Sequence, residues 1–343
     1  MKQFLLKTTL YLLVTVLISG ITICLFISQK PEFFLGNAVD YFQCRYQYDQ
    51  INKKTGFTNI IIGDSRGNAT INPRQLGDKW INLSIPGSDL FEGYITLKRY
   101  LQHNKVDTLV MVYGMSYINE YSRWFNYRTI PFRFINYSEL KELEQVERKY
   151  NYLFHNHAAG NATLRYDQFI RKLKYWHSPF SYRETFLDGL NSFCFSHAKA
   201  RVERQKVITQ FSEYRGNTNF GNADSNNTNT IDANLRFEPG QINQHYLGLI
   251  MQLAAAHDIP VYLINPPMNQ VSFNTYNKSV YESTVNRFLE GLQKKYPRLC
   301  VLQTSVWLPN TMFGDPLHVN KKGTACISAM ARELLDREGG RLK

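Results

Sequence analysis

Asn59–Asn68 reads N-I-I-I-G-D-S-R-G-N, and the fold is decided there. Three consecutive isoleucines form a short apolar run with no polar face, which suits a parallel strand covered on both sides. The run stops at Gly63-Asp64-Ser65, so Ser65 falls at the carboxyl end of a strand. In open α/β sheets that edge carries the ligand crevice, because the loops leaving it converge there. The same residues also fit an ordinary strand-to-helix turn with Ser65 as a helix N-cap. Two later stretches bear on the choice.

Trp80–Ser84 reads as a second strand, followed by Ile85-Pro86-Gly87-Ser88, where Gly87 offers a backbone N–H that no side chain obstructs. Asp89 and Glu92 have the spacing of a capping box and open a helix with Leu90, Tyr94, Leu97 and Leu101 on one face. Val106–Tyr113 is a third strand, and Gly114-Met115-Ser116-Tyr117 is its exit loop. After Pro239, Ile242, Tyr246, Leu249, Leu253 and Ala254 form a helical stripe. Ile259–Asn265 is a fourth strand closed by Pro266-Pro267, and a helix over Lys278–Lys295 leads to a fifth, Cys300–Gln303. A last helix begins near Asn320, carries Ile327, Met330, Ala331, Leu334 and Leu335, and stops at Gly339-Gly340. Strands alternating with helices predict an α/β domain over 57–338: a three-layer, doubly wound arrangement on a five-stranded parallel sheet.

Residues 119–237 break the pattern and predict a large, mainly helical insertion beside the active edge. Ser138–Tyr150 reads as a helix capped by Ser138, and Arg201–Phe211 as another. Arg215–Asn234 is too poor in apolar residues to pack and reads as a mobile loop. Trp124, Tyr127, Tyr175 and Trp176 fit either a core or a surface on which sugar rings stack.

At the amino terminus, Lys2 and Lys7 precede an almost uncharged run, Thr8–Ser28, whose ~20 residues at a rise of ~1.5 Å match the hydrocarbon thickness of a bilayer. The run is too long for a typical signal-peptide core and ends without a small-x-small cleavage site, so it reads as an uncleaved single-pass anchor over residues 1–30. The lysines before it place the remainder outside the cytoplasm, on an inner or cytoplasmic membrane and periplasmic in a Gram-negative cell. Residues 31–56, polar and aromatic without a clear period, read as a juxtamembrane connector.

The 343 residues carry 40 Lys+Arg against 28 Asp+Glu, a formal net charge of +12 spread as pairs such as Lys53-Lys54 and Lys321-Lys322. That pattern suits a solvated surface beside an anionic membrane or a docking face for an acidic polymer. Nucleic-acid binding is not expected, since no motif for it is present. Outside the anchor, Cys44, Cys194, Cys300 and Cys326 have no disulfide-framework or metal-type spacing, and no cofactor or metal is expected.

The third informative stretch is Gly314–Gly323, G-D-P-L-H-V-N-K-K-G, between the fifth strand and the last helix. Asp315 and His318 are three apart in a loop stiffened by Pro316, a spacing that lets the carboxylate reach imidazole Nδ1 while Nε2 faces outward. A serine hydroxyl near neutrality needs a base to take its proton and an acid to fix the base's tautomer. Ser65, His318 and Asp315 supply those roles from the first and last loops of one sheet edge. Alone, the D-x-x-H is equally a loop ion pair.

Together these stretches resemble the SGNH (GDSL-type) hydrolase superfamily: Gly63-Asp64-Ser65 looks like its first block, Asn82…Gly87 its second, and Asp315-Pro316-Leu317-His318 its last. The resemblance implies a flavodoxin-like three-layer fold, Ser65 as nucleophile, His318 as base, Asp315 as its orienter, and an oxyanion hole from the Ser65 and Gly87 N–H groups. The third block usually supplies an Asn to that hole. Here serine stands at its position, so Ser116 or Asn119 is the expected substitute. An anchored domain of this type also looks like the extracytoplasmic partners in cell-surface polymer acylation, such as alginate O-acetylation and teichoic-acid D-alanylation proteins. It implies an O-acyltransferase, in the first place an acetyltransferase, acting on an envelope or exported polysaccharide beside a multi-pass membrane acyltransferase. The alternatives are an esterase with water as acceptor and a non-catalytic carbohydrate-binding or scaffold domain.

Overall fold

The computed structural model describes residues 1–29, 39–119, 128–150, 168–173, 175–176, 197–218, 237–275, 278–303 and 307–338. Its centre is a sheet of five parallel strands: β1 (Asn59–Gly63), β2 (Trp80–Asn82), β3 (Thr108–Val112), β4 (Val261–Ile264) and β6 (Leu299–Gln303), in the order β2-β1-β3-β4-β6. All pairings are parallel, and Ile61, on the strand next to the β2 edge, lies between Asn82 and Val110.

The isoleucine run is buried on both faces, as a parallel strand requires. Ile60 and Ile62 join one apolar cluster with Leu109, Met111, Val261 and Leu263, while Ile61 joins the other with Val110, Val112, Tyr262 and Ile264. The first cluster is covered by α5 (Leu90–His103) and α9 (Gln241–Ala256), which pack on each other through Phe91 and Tyr246, their rings 4.9 Å apart. The second is covered by α12 (Lys321–Glu338) through Ile327 and Ala331. The capping box that opens α5 is present: the Asp89 N–H donates to Glu92 Oε2 at 2.9 Å.

Several elements differ from the sequence reading. The stretch read as a connector contains α2 (Val39–Ile51), whose Tyr41, Phe42, Cys44 and Ile51 are buried and whose Gln47 donates to the carbonyls of Asn82 and Ser84 at 3.1 and 3.0 Å. Its sequence shows no period because its buried side is built partly from polar residues, Gln43 and Gln47. In the insertion, α7 (Tyr137–Lys149) is capped by Asn136 and not by Ser138. Asn136 Oδ1 accepts from the Glu139 N–H at 2.9 Å, Glu139 returns the bond to the Asn136 N–H, and the Ser138 hydroxyl donates to the same Asn136 oxygen. The second expected helix lies within α8 (His197–Glu213). A two-stranded parallel ribbon, β5 (Met268–Asn269) with β7 (Trp307–Leu308), is too short to leave a periodic signal.

Part of the stretch expected to be a mobile loop is packed. The Asn82 N–H donates to the Arg215 carbonyl at 2.9 Å, covering the edge of β2, and Gly216, Asn217 and Thr218 are buried. Residues 219–236 lie outside the described residues, as do Trp124 and Tyr127, Cys194 and the expected stop at Gly339-Gly340. The two ends of the insertion meet: the Gly240 N–H donates to the Ile118 carbonyl at 3.0 Å.

At the amino terminus α1 (Lys2–Gln29) is one continuous helix, and Lys2–Ile23 is long and apolar enough to cross a membrane, with none of that window buried against the protein. Among the described residues Cys44, Cys300 and Cys326 form no disulfide.

Candidate active site

Ser65 opens α3 (Ser65–Thr70), the helix that follows β1. Asp64 and not Ser65 is its N-cap: Asp64 Oδ1 accepts the N–H groups of Arg66 and Gly67 at 2.8 and 3.2 Å. The serine is thus left at the first turn with its hydroxyl available for another partner. A net of buried amides holds α3 in place. Asn82 Nδ2 donates to the carbonyls of Gly67 and Ile71, at 2.9 and 3.1 Å, and Asn68 Nδ2 donates to those of Ser84 and Gly216, at 2.8 and 3.1 Å. Asn217, within the insertion, donates to the Asn68 carbonyl. Such bonds are worth most where water is excluded and would be costly to leave unmade.

The opposite wall is the loop between β7 and α12. An antiparallel bridge between Phe313 and Val319 closes it, and the Gly314 N–H donates to the His318 carbonyl at 2.9 Å. Asp315 organises its interior with one oxygen, Oδ1, which accepts from the N–H groups of Leu317 and His318 at 2.8 Å each. The other oxygen, Oδ2, lies 2.7 Å from His318 Nδ1. His318 Nε2 in turn lies 2.8 Å from Ser65 Oγ. Residues 253 positions apart in the chain are brought together because α12 is bonded to the segment around α3: Thr324 Oγ1 donates to the Ala69 carbonyl at 2.7 Å, and the Asn72 N–H donates to Ser328 Oγ at 2.9 Å.

Burial works to raise the Asp315 carboxyl, but the hydrogen bond and charge of His318, with the two backbone N–H groups, outweigh it and hold the carboxyl below its usual range. Asp315 therefore stays an anion at neutral pH, and an anion at Nδ1 keeps that nitrogen protonated and Nε2 free to accept from the serine. Chemically, the chain Ser65–His318–Asp315 is competent to generate a serine nucleophile.

Gly87 has φ 71° and takes the third position of a turn in which the Ser88 N–H donates to the Ile85 carbonyl at 3.0 Å, with Pro86 second; this is a type II turn, which needs glycine at that place. The Ser88 hydroxyl ties the turn to the Gly63 carbonyl at 2.8 Å. Ser116 lies in the short helix α6 (Met115–Asn119), and its side chain is outside the described residues. Asn119 ends that helix, and its amide oxygen accepts from the Glu238 N–H at 2.9 Å, so the side chain fastens the root of the insertion.

Arg66 was not singled out by sequence. It follows the nucleophile directly, yet its side chain is turned inward and is 5% exposed. Its Nε donates to Asp64 Oδ2 at 3.4 Å. Its guanidinium packs against Gly114: a Cβ added there would overlap Nη2 and Cζ. It also lines a cleft with Pro267, Met268, Asn269, Ser272, Pro316 and Leu317, the last two being the residues between Asp315 and His318. The signal in the sequence was a long cation beside the serine and a glycine at the exit of β3, and nothing in sequence joins the two.

Among the described residues no group of three or more His, Cys, Asp or Glu side chains could hold a metal ion. Compared with known proteins, the chain matches no protein-family model and no curated sequence.

Proposed function

We propose that the protein is a membrane-anchored serine O-acyltransferase of SGNH type, which moves a short acyl group, in the first place acetyl, onto a hydroxyl of an envelope or exported polysaccharide. The observation that carries this reading is the hydrogen-bonded chain from Ser65 Oγ to His318 Nε2 at 2.8 Å and from His318 Nδ1 to Asp315 Oδ2 at 2.7 Å. The strand order β2-β1-β3-β4-β6 supports the doubly wound fold of that superfamily, since it is the flavodoxin-like order, with Ser65 at the carboxyl edge beside the β1/β3 switch point.

In this mechanism Ser65 Oγ attacks the donor's acyl carbon while its proton passes to His318 Nε2. The carbonyl π pair moves to oxygen, which the N–H groups of Ser65 and Gly87 receive. Collapse breaks the bond to the leaving alkoxide, which takes the proton from His318, and an acyl ester remains on Ser65. An acceptor hydroxyl then loses its proton to His318 as its oxygen attacks the ester, and the serine leaves with the proton restored. Asp315 keeps its negative charge throughout and stabilises the imidazolium. The apolar helix Lys2–Ile23 would hold Ser65 near the bilayer, where a multi-pass membrane partner can deliver the acyl group. Water in place of the sugar hydroxyl gives the esterase reading through the same first half-reaction.

The test is partition. With the full chain in detergent, an activated acetyl ester and a panel of acidic and neutral polysaccharides, this account expects acetyl in polymer to exceed acetate released for at least one acceptor. Release that exceeds transfer with every acceptor would favour the esterase.

A further inference from the structure

A tetrahedral intermediate needs donors around its oxygen, and of the two side chains expected to help from the β3 exit, that of Ser116 lies outside the described residues while the Asn119 amide oxygen accepts from the Glu238 N–H. At that exit the structure puts the guanidinium of Arg66. Gly114 has no side chain, and the space a Cβ would fill is occupied by Nη2 and Cζ of Arg66. The guanidinium therefore sits at the end of β3, level with the β1 turn that carries Ser65, and Arg66 lines a small cleft with Pro316 and Leu317 of the histidine loop. Asp64, fully buried, holds Nε and fixes the plane of the fork. We infer that Arg66 is a further catalytic residue, whose guanidinium donates to the acyl oxygen as negative charge gathers on it. This rests on the serine mechanism proposed above and adds a charged donor to the Ser65 and Gly87 N–H groups.

The chemistry suits the placement. A guanidinium keeps its proton at any working pH, so it stabilises the oxyanion by charge-assisted hydrogen bonding and transfers nothing. Held by Asp64 and Gly114 in a nearly dry position, it needs no reorganisation as charge develops, and a charge acts more strongly there than in water. A group of this kind tightens only the transition state, so its loss lowers kcat and leaves KM nearly unchanged.

The test uses the full chain in detergent and a neutral acetyl ester. Arg66→Gln is expected to lower the acylation rate by roughly 10²–10³-fold, with KM little changed. The affinity for a boronic acid that mimics the tetrahedral intermediate should fall in proportion to kcat/KM, and added ethylguanidinium should restore part of the rate to Arg66→Ala. Gly114→Ala reaches the same group from the other side, because its methyl displaces the guanidinium, and it should reproduce the loss. A purely structural Arg66 would instead show a lowered melting temperature with wild-type kcat and boronate affinity in the folded fraction, and that result overturns the inference. So would a loss confined to KM. If Arg66→Gln does not fold, Gly114→Ala decides: wild-type acylation by the folded alanine variant also overturns it. Loss of all acylation in Ser65→Ala alongside wild-type rates in the Arg66 variants would sink this inference alone, whereas acylation surviving in Ser65→Ala would sink the serine mechanism beneath it.

Discussion

Asp315 divides its two oxygens between two tasks, one shaping the loop through the Leu317 and His318 N–H groups and the other holding His318 Nδ1. Asparagine can keep the first task and not the second, since its amide cannot stabilise an imidazolium and can turn the ring to the wrong tautomer. Asp315→Asn is thus expected to fold and to lower turnover by roughly 10³–10⁴-fold, as measured by acetyl-ester kinetics; a loss below tenfold would contradict the orienting role. The depressed carboxyl also fixes a sign. Its contribution to stability is present above the ordinary carboxylate range and is lost as pH falls through its lower folded value, so the variant should lack that acid limb in denaturant titrations. The three residues of this chain were legible because each lies in a short motif whose spacing alone implies its geometry. Arg66 was not, because the position of its guanidinium depends on Gly114, which comes from another strand.

Among the elements, α5 carries a test of its own. Glu92 lies in its capping box, fully buried, and accepts from the Asp89 N–H and from the Thr129 hydroxyl at 2.6 Å. Burial dominates these bonds and pushes its carboxyl up to about 7. The folded state therefore holds a proton there that the unfolded chain releases near pH 4.5. Stability from this group is complete below that value and is lost as pH rises toward 7, a decline of about 3 kcal/mol. Glu92→Gln should remove the decline, so chemical denaturation at pH 5 and pH 8 would show the variant gaining on the wild type at the higher pH; parallel curves would contradict a protonated Glu92. The capping box itself was readable from Asp89 and Glu92. The helix α2 was not, since Gln47 is buried for the sake of two carbonyls in the second block and breaks the apolar period. The cap of α7 was misread by two residues because Asn136 and Ser138 are both capping types, and only the Glu139 partner distinguishes them.

At the scale of the molecule, one sheet edge collects loops from residues 65 to 318, and a long insertion leaves that edge and returns to it with its roots bonded together. The central strands β1, β3 and β4 were legible because parallel strands buried on both faces must be continuous apolar runs, and the edge strands β2 and β6 because they fall in the required alternation with helices. How residues 216–218 of the insertion seat on α3 was not, since Gly216, Asn217 and Thr218 bond through backbone and amide groups that carry no hydrophobic signal. The central claim is that this assembly makes Ser65 a nucleophile. Its most direct test is intact-mass spectrometry of the full chain in detergent after brief exposure to an activated acetyl ester, with Ser65→Ala alongside. The account predicts a gain of one acetyl group that maps to Ser65 in the wild type and is absent from the variant. No gain in the wild type, with no hydrolysis of the ester, would contradict it.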